Sequence, residues 1–207
     1  NGIAGVTLAQ HVRFKSNCRI TLISAESDTH ISRPALMYVY MGHMRLKDIL
    51  PYPDWHWKKH DLVQMNERVT AVNLEEKTLT LQKGGSLSYD VLVLATGSCP
   101  AFYNWPGQDL EGVQGLVTLQ DLQSMEKNTE GIREAVVVGG GLIGVEMAEM
   151  LRSRGIAVTM LVREPHYWHS VLPRQEALLV SDNISRHRIN LLFQEELASV
   201  NPDPQGR

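Results

Sequence analysis

Gly139, Gly141 and Gly144 stand at the spacing G-x-G-x-x-G inside the stretch EAVVVGGGLIGVE, which runs from Glu134 to Glu146. Each glycine has a mechanical task in phosphate chemistry. The first permits a tight turn, the second lets the backbone approach a diphosphate, and the third lets a helix pack closely on a strand. A glycine-rich turn with no ligand is the competing reading. Against it stands the context: an apolar run over 135–138 comes before the glycines. After them, Leu142, Ile143, Val145, Met147, Ala148, Met150 and Leu151 recur at spacings of three and four. The pattern predicts a buried strand, a tight turn and an amphipathic helix whose free N–H groups and positive dipole end face phosphate. A second strand is expected over 158–162, and Arg163 and Glu164 follow it. A guanidinium there suits a 2′-phosphate, whereas a carboxylate accepts hydrogen bonds from a 2′-hydroxyl.

The same unit is written twice. Slid along the chain, the opening NGIAGVTLAQHV lays Gly2 on Gly141 and Gly5 on Gly144, and the apolar run 20–23 answers 158–161. Glu26 then matches Glu164 as an acid shortly after the second strand, the position that hydrogen-bonds a ribose in such folds, although a plain loop carboxylate beside Asp28 is the alternative. The strand and first glycine that should precede Gly2 are not in the sequence, and the full polypeptide is expected to extend beyond both ends. Two dinucleotide units in one chain suggest two cofactors, one handing electrons to the other.

With 207 residues, 43% of them hydrophobic, the chain can bury a core as one large domain or two small ones. A net charge of −3 and a pI near 6.3 give no footprint for nucleic acid or an anionic membrane surface. No apolar run approaches the roughly 18 residues of a membrane span. Cys18 and Cys99 are far apart and unpaired in spacing, which fits a reducing, cytoplasmic setting and offers no zinc site.

The intervening chain must position these residues. A first helix is expected over 5–13, with Val6, Leu8, Ala9 and Val12 apolar, and a strand over 20–23. Ser32-Arg33-Pro34 reads as a helix start with Ser32 as N-cap, and residues 35–44 read as a core helix rich in methionine and tyrosine. Arg33 at that start could face a diphosphate. His56 and His60 are four apart, a metal-capable spacing, but no third ligand lies within reach, so no metal is expected; Trp55 and Trp57 are read as core residues. Period-two patterning predicts antiparallel strands over 69–72, 78–81 and 87–89, feeding a buried strand over 89–94 and then Ala95-Thr96-Gly97. Helices over 118–125 and 174–187, a strand over 189–193 and a polar end over 201–207 complete the reading. The fold class is α/β: two Rossmann-like units with an antiparallel insert, divided into 1–117 and 118–207.

In that order these motifs closely resemble the two-dinucleotide-binding-domain flavoproteins, the pyridine-nucleotide–disulfide oxidoreductase superfamily. They look most like its rubredoxin/ferredoxin reductase, NADH oxidase and nitrite-reductase flavin-domain branch. The resemblance covers essentially the whole chain. It implies that Gly2, Ile3, Ala4 and Glu26 contact the diphosphate and ribose of FAD, with Arg33 nearby. It also implies that the Val69 backbone meets the adenine, and that Ala95, Thr96 and Gly97 pass beside the cofactor. Gly139, Gly141, Leu142, Ile143 and Gly144 would hold the NAD(P) diphosphate, and Glu146 would orient the nicotinamide. Val162 stands where NAD-specific members often carry an acid, so Arg163 tips the expectation slightly toward NADPH, while Glu164 argues for NADH. Two departures matter. The later Gly-Asp motif that returns to the flavin and the C-terminal interface domain are missing. No cysteine lies between Ile31 and Gly42, where disulfide reductases keep their redox pair. The implied activity is an FAD-dependent NAD(P)H oxidoreductase passing electrons to an acceptor the sequence does not name, such as a small electron-transfer protein. A homodimer is the assembly to test. A nucleotide-sensing protein with the same fold and little turnover is the alternative.

Overall fold

The computed structural model describes residues 1–202, with two compact units; the end of the polar tail, 203–207, lies outside the described residues. The first unit gathers residues 1–36, 44–99 and 117–120. Its helix α1 (Ile3–Lys15) leads into β1 (Ile20–Ser24). A 3₁₀ turn at Arg33–Ala35 passes directly into the short α2 (Leu36–Tyr40). The single helix expected over 35–44 is therefore split, and Ser32 makes no side-chain cap. The helix stops early because Gly42 adopts φ +77°, which residues with a side chain rarely take.

After a second 3₁₀ turn, Leu46–Ile49, come α3 (Asp54–Lys59) and β2 (Leu62–Asn66). β2 pairs in parallel with β1, Ile20 opposite Leu62, through a crossover that contains α3. The core of this unit is Val6 and Ala9 of α1 with Trp57 and Leu62, backed by Ile20, Leu22 and Tyr52. Trp57 is the core residue the sequence indicated, but Trp55 is 59% exposed, because neighbouring positions on so short a helix face different ways. The insert forms as expected: β3 (Val69–Asn73), β4 (Thr78–Leu81) and β5 (Ser86–Ser88) make an antiparallel sheet in that order.

One expectation fails here. Residues 89–94 form no strand, and Val91 is 81% exposed. A parallel strand exists only within a ladder, and among the described residues no strand pairs with this segment, whose Tyr89 N–H reaches back to the Lys77 carbonyl beside the insert.

The second unit gathers residues 37–43, 100–116 and the described residues from 121 on. It holds most of α4 (Leu119–Asn128), then β6 (Glu134–Val138), α5 (Leu142–Ser153), β7 (Ala157–Val162), α6 (Arg174–Arg186) and β8 (Ile189–Phe193). The three strands run parallel in the order β6-β7-β8, so α5 and α6 are the crossovers of two βαβ units. Val158, Met160 and Val162 alternate into the core from β7; α5, packed on β7, buries Ala148 and Leu151, and α6, packed on β8, buries Ala177 and Ile184. The sequence pattern predicts β6 as a buried strand. Only Val137 is buried; Val136 and Val138 stay exposed because, among the described residues, only one side of the strand is covered. Within this unit Tyr40 is fully enclosed. Its hydroxyl donates to Thr129 Oγ1 at 2.8 Å, and the Arg154 guanidinium lies 3.7 Å over its ring.

Candidate functional site

In the first unit, the start of α1 and the segment after residue 93 form a cleft of about 270 Å³. Gly2, Ile3, Ala4, Arg33, Leu94, Ala95, Thr96 and Gly97 line it. All but Leu94 are residues the sequence nominated. Gly2 caps α1 without a side-chain hydrogen bond, and no acid occupies the first turn, so its N–H groups and dipole are uncompensated. A Cβ on Gly2 would stand 2.8 Å from Arg33 Nη1, so the bare glycine lets the guanidinium lie against the helix start where a side chain would displace it. Gly5 packs its bare Cα toward Ala95, whose Cβ would be 3.5 Å from an added methyl, the close helix approach assigned to the third glycine of the motif. Gly97 sits at φ +75°.

Glu26 is tied into this group. Its Oε2 accepts from Arg33, and its Oε1 accepts the Leu119 N–H at 3.0 Å, with the side chain 7% exposed. Both oxygens are engaged, Oε2 by the guanidinium and Oε1 by the backbone N–H. The Leu119 bond has no sequence signal, since 93 residues separate the partners. Val69 is not brought to the cleft; it lies in β3 opposite Leu81. His56 and His60 have ring centroids 4.5 Å apart, and the Gln10 amide donates to His56 Nε2 at 3.1 Å.

In the second unit, β6 ends at Gly139, which takes φ +123° and donates its N–H to the Leu161 carbonyl at 2.9 Å. The glycines divide their tasks by geometry. A Cβ on Gly144 would stand 2.2 Å from the Gly139 carbonyl oxygen, and one on Gly140 would stand 2.6 Å from Val162 Cγ1. Gly141 meets nothing within 4 Å and is the N-cap of α5, again with no side-chain cap and no acid in the first turn. By contrast α3, α4 and α6 each begin with an acid, Asp54, Asp121 and Glu176. Leu142 and Ile143 are exposed beside this open turn, and Glu146 is half-buried one turn on.

Arg163 and Glu164 follow β7 and pair with each other, Nε to Oε1 at 2.9 Å, which holds the glutamate below the usual carboxylate range. Sequence reasoning missed Tyr167. It is 2% exposed, and its hydroxyl donates to the Gly141 carbonyl at 3.1 Å. Burial, and then the charge of Glu146, raise its phenol pKa. A buried aromatic in the polar run PHYWHS was the one available hint.

Both copies of the repeat thus present a glycine at an uncapped helix start. The family description "Pyridine nucleotide-disulphide oxidoreductase" matches residues 1–206. The chain belongs to this family. It is 30% identical to a nitrite reductase [NAD(P)H] of Bacillus subtilis over 97% of its length and 25% of that protein's. It is 34% identical to the ferredoxin–NAD(+) reductase subunit of a benzene 1,2-dioxygenase system of Pseudomonas putida, over 78% of its length and 40% of that protein's. Among solved structures, a covalent putidaredoxin reductase–putidaredoxin complex aligns with TM-score 0.88 at 21% identity over 99% of this chain and 51% of that one, a likeness of fold. The chain therefore spans a quarter to a half of the length of these proteins. No helix among the described residues is long and apolar enough to cross a membrane.

Proposed function

We propose that this chain is the nucleotide-handling part of an FAD-dependent NAD(P)H oxidoreductase, with residues 1–117 serving FAD and residues 118–207 serving NAD(P)H. One observation carries the reading: a glycine at an uncapped helix start, with no acid in the first turn, occurs twice, at Gly2 and at Gly141. FAD fits the first copy by the chemistry of its donors. The α1 N–H groups and the Arg33 guanidinium suit a diphosphate, the bare Gly2 and Gly97 let it approach, and Glu26, paired with Arg33, is the carboxylate acceptor offered to a ribose hydroxyl. Val69 would serve through its backbone, from the edge of the insert. When bound, FAD supplies acceptance of hydride from a nicotinamide and release of electrons to an external acceptor.

The protein's own contribution is positioning. Gly139, Gly141, Leu142, Ile143 and Gly144 present the start of α5 to the NAD(P)H diphosphate. Glu146 accepts a hydrogen bond from the nicotinamide carboxamide and so fixes which face is offered. The names of the relatives, a nitrite reductase and a ferredoxin–NAD(+) reductase subunit, support reduction of an acceptor at the expense of nicotinamide nucleotide, and we take a small electron-transfer protein as that acceptor.

The test is spectroscopic. The purified chain is incubated with FAD, freed of excess and scanned in the visible, then mixed with NADH or NADPH without oxygen. A yellow protein that bleaches is the expected result. A protein that stays colourless after incubation overturns the flavin assignment and leaves a nucleotide-binding module without turnover.

A further inference from the structure

The glycine turn at the start of α5 has little stiffness of its own. Residues 139, 140 and 141 are all glycine, and only Gly140 is wedged, against Val162. A side chain at Gly141 would meet nothing within 4 Å, so no packing on that side restrains the peptide joining it to Leu142, and glycine adds no side-chain restraint of its own. Rotation would matter, because in a trans peptide the C=O and N–H point in opposite directions. The direction of the Gly141 carbonyl therefore sets the direction of the Leu142 N–H, one of the first donors of α5, which have no intrahelical acceptor.

That carbonyl is held from two sides. The Val145 N–H donates to it at 3.2 Å from within the helix, and the Tyr167 hydroxyl donates at 3.1 Å from the loop after β7. Tyr167 is itself immobilised, being 2% exposed. We infer that Tyr167 is a positioning residue for the nicotinamide nucleotide: its hydroxyl fixes the Gly141–Leu142 peptide so that the Leu142 N–H is turned outward to the diphosphate. The assignment rests on residues 118–207 being the NAD(P)H site. The phenol remains a donor across the neutral range, since burial and the neighbouring Glu146 both favour its protonated form.

Tyr167→Phe deletes the hydroxyl and keeps the ring. Binding of NADH, NADPH and ADP-ribose to wild type and variant is measured by fluorescence and calorimetry, with thermal unfolding alongside. All three ligands carry the diphosphate, so their dissociation constants should rise by a common factor of roughly three to ten, the span of one net hydrogen bond. KM for both nucleotides should rise while kcat at saturation and the unfolding midpoint stay unchanged. A purely structural role would lower the midpoint and leave the affinity of the folded fraction alone. Unchanged dissociation constants, or a rise confined to NADPH, overturn the role of Tyr167 while the site itself stands. A wild-type protein that binds none of the three overturns both the site and the inference.

Discussion

The three glycines of the second turn look interchangeable as letters and differ sharply in what surrounds them. Gly144→Ala would drive a methyl to 2.2 Å from the Gly139 carbonyl oxygen, so the turn must shift to admit it. It should destabilise the protein by about 1–3 kcal/mol, the usual cost of overpacking, and weaken nucleotide binding as the turn shifts. Gly141→Ala meets no atom within 4 Å and sits at φ −98°, so thermal unfolding should be unchanged. Its methyl would instead occupy the space the diphosphate needs, and NAD(P)H affinity should fall. Calorimetric unfolding and nucleotide titration on the two variants separate these effects; similar unfolding midpoints for both would refute the division of labour. Arg163 poses a second question at this scale. Its pairing with Glu164 neutralises the charge that would attract a 2′-phosphate, but the guanidinium is 71% exposed and can release the glutamate. The expected outcome is a modest preference for NADPH in kcat/KM that Arg163→Ala removes while leaving NADH turnover alone. A variant with an unchanged preference ratio would assign the choice to other residues.

At the scale of elements, α3 carries a pH response. His56 is stacked on Tyr52 at 4.5 Å, stands 5.2 Å from Trp57 and accepts a hydrogen bond from Gln10, which requires a neutral ring. Burial first, then the charges of His60 and Lys59, lower its pKa below the ordinary 6.5. The folded state thus binds fewer protons than the unfolded one near neutrality. Stability from neutral His56 is complete above pH 6.5 and is lost as pH falls through the lower folded value. Unfolding temperature and Trp fluorescence should both decline with acidification in wild type and far less in His56→Gln; parallel curves would exclude His56.

Elements were legible where local pattern and pairing agree. The strands of the insert announce themselves by period two, and β6, α5 and β7 by a change of period at the glycines. β2 was not anticipated: LVQMN mixes apolar and polar residues, and only its parallel partner β1 makes it a strand. Residues 89–94 err the opposite way, with strand-like composition and no strand to pair with among the described residues. Tyr167 and the Glu26–Leu119 contact escaped notice because they depend on contacts distant in sequence, whereas the residues lining the first cleft were marked by motif.

At the scale of the whole molecule, the question is whether any thiol carries electrons. The family name joins pyridine nucleotides to disulfides, and a disulfide reductase needs a low-pKa thiolate beside its cofactor, poised for exchange with a partner sulfur. The segment that would present one offers Pro34, Ala35, Leu36, Met37 and Tyr38, with no sulfur nucleophile among them. Cys18 and Cys99 are both free and exposed. Cys18 lies ahead of β1. Cys99 follows Gly97 of the first cleft by two residues but does not line that cleft, and it is too far along the chain from Cys18 for a redox-pair motif. Residue chemistry therefore predicts an oxidoreductase that reduces its acceptor without a protein disulfide. In a Cys18→Ser/Cys99→Ser double variant of the full-length protein, reduction of an added dye by NAD(P)H should proceed at nearly the wild-type rate, and alkylation of the wild type with iodoacetamide should leave that rate intact. Loss of dye reduction with flavin content unchanged would place a thiol on the electron path and return the protein to the disulfide-reducing members of its family.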